Sequence, residues 1–183
     1  MKPALSRAAL YLFVGILISC TSTYRVPPEG TLDGYIIKGV PIYTQKRLEC
    51  GPSSLASVLG YHGIKTDPEE IASKLPVERL GGTLAIDLLL YAKERGLSAT
   101  YYRGSLEDLK EKIRHNLPLI IFVDLGVGGF HIGHFMVVTG YDDRQGGVIV
   151  HSGKATPEFI PYKRLKKIWK KTGFSTLLIR PAA

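Results

Sequence analysis

The chain has 183 residues, 45% of them hydrophobic and 22% charged, with a formal net charge of +8 and two cysteines. That length is enough for one domain with a proper core. The absence of an internal repeat or low-complexity run excludes an array or a compositionally disordered chain.

The first segment carries an address. Lys2 and Arg7 make a basic start, Ala8 to Ile18 is a short apolar run, and it ends in Leu17-Ile18-Ser19-Cys20. By composition this is a secretory signal, too short for a comfortable membrane span. Its ending resembles the bacterial lipobox, which implies lipidation of Cys20 as the first mature residue. Residues 1–19 are then a lipoprotein signal peptide and 20–34 a lipidated linker, with Pro27-Pro28, Gly30 and Gly34 as linker composition. Thr21 rather than Asp after the lipidated Cys resembles lipoproteins sorted to the outer membrane. The expected location is therefore the bacterial cell envelope, with the domain facing the periplasm. With Cys20 lipidated, Cys50 is the only thiol left and no internal disulfide can form. A lone cysteine in an oxidising compartment makes most sense if the thiol is used.

Residues 35–181 form the domain. Gln45 precedes Cys50 by five residues, and Cys50-Gly51-Pro52 leads into a helix from Gly51 to Tyr61 with Pro52 near its start and Gly63 as its stop. Cys50 sits at the positive end of that helix, where negative charge is favoured. Further helices are expected at Pro68 to Leu75 behind an Asp67 cap, Thr83 to Arg95 ending at Gly96, and Leu106 to His115 capped by Ser105. A basic helix is expected at Tyr162 to Lys170. Strands are expected at Ser98 to Tyr102, Leu119 to Leu125, His134 to Tyr141, Val148 to His151 and Phe174 to Ile179. Helices first and an antiparallel sheet second make an α+β layout that packs a nucleophile helix against a sheet carrying a base.

Three stretches bear a resemblance: Gln45-x4-Cys50-Gly51-Pro52, His134-Phe135-Met136-Val137-Val138-x-Gly140-Tyr141-Asp142, and Val148-Ile149-Val150-His151-Ser152-Gly153. Together they resemble the papain-like peptidases that process bacteriocin leaders after a double glycine, with their related lipoproteins and secreted proteins, over roughly residues 38 to 181. The resemblance implies a papain-like fold, Cys50 as nucleophile, His134 as general base and later acid, Gln45 as oxyanion-hole donor, and a peptide or protein substrate. A Cys–His pair activates the thiol without metal or cofactor, so none is expected.

The third family position is usually Asp, and here Ser152-Gly153 stands in its place. Ser152 is the expected orienter of His134, with His151 as the alternative. Asp142 lies at the far end of the His134 strand, about 26 Å away at the usual rise per residue. His131, in the Gly-rich segment before His134, lacks a second ligand at metal spacing and reads as a loop residue. Two other functions stay open: a cell-wall peptide hydrolase, and a non-catalytic peptide-binding module with a degenerate site.

Removing Lys2 and Arg7 with the signal lowers the net charge to about +6, much of it in Lys163, Arg164, Lys166, Lys167, Lys170 and Lys171. In the envelope nucleic acid is not an expected partner. The basic helix suits anionic headgroups or an acidic partner, while Leu165, Ile168 and Trp169 turn inward.

Overall fold

The computed structural model describes residues 31–45, 48–75 and 82–182. The signal, Cys20 and most of the linker lie outside the described residues. Among the described residues the chain runs β1 (Gly34–Ile36), α1 (Cys50–Tyr61), α2 (Pro68–Lys74), α3 (Ala85–Glu94), β2 (Leu97–Arg103), α4 (Leu106–Arg114), β3 (Leu119–Asp124), β4 (Gly133–Asp142), β5 (Gly147–His151), β6 (Glu158–Pro161), α5 (Tyr162–Lys170) and β7 (Ser175–Pro181).

The strands form one antiparallel sheet in the order β2-β7-β3-β4-β5-β6, with β1 pairing the second half of β4. β4 is its longest strand. Its first half pairs β3 from Gly133 to Val138, and its second half, Gly140 to Asp142, pairs β1 along the same side. β5 lies along its other side, with a register shift between Val138 and Gly140.

Local chemistry explains the helices. The Ser105 Oγ accepts from the Asp108 N–H at 3.1 Å, while Glu107 and Asp108 in the first turn and Lys112 and Arg114 in the last complement the dipole of α4. α1 is buried from Gly51 to Leu59, and it packs across β4, so the helix that begins at Cys50 is the centre of the core. α5 buries Leu165, Ile168 and Trp169, and the Trp169 indole N–H reaches the Ser175 carbonyl at 3.0 Å.

The expected helices and long strands are present with end differences of one or two residues. Two strands were not anticipated. β1 is three residues long and β6 is four, ending in Pro161, and neither is long enough to show an alternating pattern.

Candidate active site

Cys50 is the first residue of α1, a half-buried free thiol. Leu48, two residues upstream, has a φ of 67°, a left-handed conformation that is uncommon for leucine and turns the chain sharply into the helix. The Ser53 N–H closes the first turn on the Glu49 carbonyl at 2.9 Å. A Cβ on Gly51 would meet Thr83 at 2.7 Å, so the residue after Cys50 has to be glycine for the segment preceding α3 to lie against the helix start.

His134 is the second residue of β4, half-buried, with the backbone of Ser152 facing its ring. Burial pushes its pKa below the ordinary histidine value, and the Ser152 backbone and the charge of Glu158 partly oppose that shift. At neutral pH the imidazole is therefore neutral and able to take a proton.

Ser152 meets His134 through its main chain, because its hydroxyl is turned to Glu158. Lys154 holds the same carboxylate. Burial would raise the Glu158 pKa, but the hydrogen bonds from Lys154 and Ser152 bring it below the ordinary value, so it stays ionised.

Register explains the grouping. Val138 pairs Val150, and Val150 pairs Glu158, so His134, Met136 and Val138 on β4 share a face with Val150, Ser152 and Glu158. Val137 pairs His151, which puts His151 on the opposite face. The His151 ring faces the backbone of Pro41, its Nδ1 has no partner among the described residues, and burial lowers its pKa.

Gln45 is joined to the same corner. Its N–H donates to the Gly153 carbonyl at 3.1 Å, and its side chain lies so close over Gly153 that a Cβ there would collide with it. Gly153 also has a φ of 86°, which favours glycine independently. Gln45 thus packs against Gly153, the chain neighbour of Ser152.

Asp142 stays at the far end of β4. Its carboxylate accepts from the Arg144 and Gln145 N–H groups at 2.9 and 3.2 Å and organises a turn. His131 donates to Asp124 at 2.7 Å and belongs to the β3–β4 loop. Glu158 was not singled out in the sequence; its signal is the β6 register, which no periodicity in a four-residue strand reveals.

Comparison with known proteins agrees with the architecture. A structure given as that of a C39-like peptidase from Bacillus anthracis superposes with a TM-score of 0.70 at 19% identity, over 82% of this chain and 99% of that one. Xylellain, a cysteine protease from Xylella fastidiosa, gives 0.60 at 12% identity, over 87% and 91%. A double glycine motif protease from an AMS/PCAT transporter, solved in complex with its leader peptide, gives 0.63 at 27% identity, over 81% and 99%. These define the fold as papain-like, with helices on an antiparallel sheet.

A family model narrows it, matching residues 37–177. The chain belongs to the Peptidase_C39 like family. An uncharacterized protein of Methanothermobacter marburgensis is 30% identical over 95 residues; the match covers 52% of this chain and 59% of that protein's length.

Proposed function

We propose that this chain is a lipid-anchored cysteine peptidase of the bacterial cell envelope that cleaves a peptide bond through a thioester on Cys50. The observation that carries the chemistry is the grouping of Gln45, Gly153, Ser152 and His134 at one end of β4, the strand across which the helix that begins at Cys50 packs.

His134 takes the proton of the Cys50 thiol as sulfur attacks the scissile carbonyl carbon. The oxyanion is met by the Gln45 amide and by N–H groups at the start of α1. The tetrahedral species collapses with cleavage of the C–N bond, His134 giving its proton to the departing amine. Water, deprotonated by the same imidazole, then attacks the thioester and restores the thiol. Ser152 positions His134 by its backbone, and Glu158 supplies at longer range the negative charge that favours imidazolium.

A peptide substrate is supported by the leader peptide bound to the double glycine motif protease. The anchor rests on Leu17-Ile18-Ser19-Cys20 and places residues 1–19 as signal, 20–34 as tether and 35–181 as catalytic domain.

The test is hydrolysis of a peptide library followed as kcat/KM against pH. Wild type should form a hydroxylamine-trappable acyl-enzyme that Cys50→Ala does not. The acid limb should fall below about pH 6.5, the ordinary histidine value. Glu158→Gln removes a charge that raises the His134 pKa, so its acid limb should move to lower pH while the plateau rate drops. An acid limb unmoved in Glu158→Gln would remove Glu158 from the site. Cys20→Ala should block signal cleavage at residue 19 and lose acyl-chain labelling; labelling retained in that variant would rule out Cys20 as the lipid site.

A further inference from the structure

The β3–β4 loop presents large apolar side chains to water: Val127 is 81% exposed, Phe130 78% and Ile132 58%. Such loops are ordinarily polar, and exposure this high belongs to protruding side chains rather than to the walls of a cleft.

The loop is firmly built. The Asp124 carboxylate accepts from the Gly126 and Ile132 N–H groups at 2.8 and 3.0 Å and from His131 at 2.7 Å. The Leu125 N–H meets the Ile132 carbonyl at 2.8 Å, and Gly128 and Gly129 turn the tip at φ of 64° and 89°.

Its base is tied to the cationic helix. The Lys171 ammonium, directly after α5, donates to the Gly126 carbonyl at 2.5 Å, and the Thr172 hydroxyl reaches the Phe122 carbonyl at 2.6 Å. α5 exposes Lys163, Arg164, Lys166, Lys167 and Lys170 and carries no acidic residue. Among the described residues, none of the ion pairs involves its four lysines.

We infer that the loop tip and the exposed face of α5 form a docking surface for an anionic lipid bilayer, Val127, Phe130 and Ile132 entering the headgroup layer while the lysines meet lipid phosphates. Apolar side chains beside a basic helix match the two chemistries of a membrane interface, acyl chains below and anionic headgroups above. Charge complementarity selects an anionic surface. The inference stands apart from the anchor, because it concerns which face of the domain meets the lipid, whether or not Cys20 carries an acyl chain.

The test uses the full chain with Val127 replaced by a genetically encoded, environment-sensitive fluorescent amino acid. It is mixed with vesicles of phosphatidylcholine alone or with phosphatidylglycerol. The expected result is a blue shift, with quenching by nitroxide-labelled acyl chains, in the anionic vesicles only. Lys167→Glu combined with Lys170→Glu should raise the lipid concentration for half-maximal shift about tenfold or more. A probe that stays water-like while the chain sediments with the vesicles would overturn the inference, as would a chain that fails to bind them. Equal quenching in both compositions would overturn the role of charge. A blue shift produced only by a peptide substrate, without lipid, would reassign the tip to substrate gripping.

Discussion

His134→Ala is expected to lower kcat by on the order of a thousandfold or more with folding intact, because the imidazole is the one group in the proposed mechanism that both accepts and returns a proton. Its position is what makes the loss large. The ring faces the Ser152 backbone, and burial holds its pKa below the ordinary histidine value, so at neutral pH it is free to accept the thiol proton. Cys50→Ala should abolish thioester formation altogether, and the double variant should be no worse than Cys50→Ala, since the two act as a unit. Single-turnover assays with thermal denaturation as a folding control check both. A His134→Ala enzyme retaining a tenth of the wild-type rate would remove the residue from the catalytic step.

The second large effect is expected at Gln45. Gln45→Ala should reduce kcat by roughly a hundredfold or more with KM little changed, as for loss of one preorganised oxyanion donor. Gly153→Ala should reproduce much of that loss without touching a reacting group. A methyl there collides with the Gln45 side chain, and the left-handed backbone opposes a side chain by about 1–2 kcal/mol. In the double variant the second change should lower kcat little further, because both act through the same amide. If Gly153→Ala only lowered the melting temperature and left kcat intact, Gln45 would be placed by something other than its contact with Gly153.

Cys50 and the long elements were readable because each carries a local signal. Cys-Gly-Pro before an apolar helical run marks a helix start, and the unbroken apolar stretch of β3 marks a buried strand. Gln45 was readable only by its spacing from Cys50. The partnership around His134 was less legible, because a backbone contact is not written in a side-chain alphabet: Ser152 occupies the expected position, but it reaches the ring through its main chain and turns its hydroxyl to Glu158. Glu158 in turn depends on register across β5 and β6, a long-range property fixed by pairing. His151, the residue before Ser152, is the alternative orienter by sequence. One position along a strand changes the face, and that places it under Pro41 instead.

The place of β7 has a consequence for how the chain is made. It is the last strand of the domain, yet it lies between β2 and β3, pairing Ser175 to Pro181 along the whole of β2. Among the described residues β7 is the only strand neighbour of β2, and it is synthesised more than seventy residues later. A nascent chain, on a ribosome or emerging from a translocation channel, can gather β3, β4 and β5 as hairpins, but a slot stays open until residue 181 is out. Stopping before residue 175 would therefore strand β2 and leave β3 with a bare edge, a species for proteases and aggregation rather than a slightly shortened enzyme.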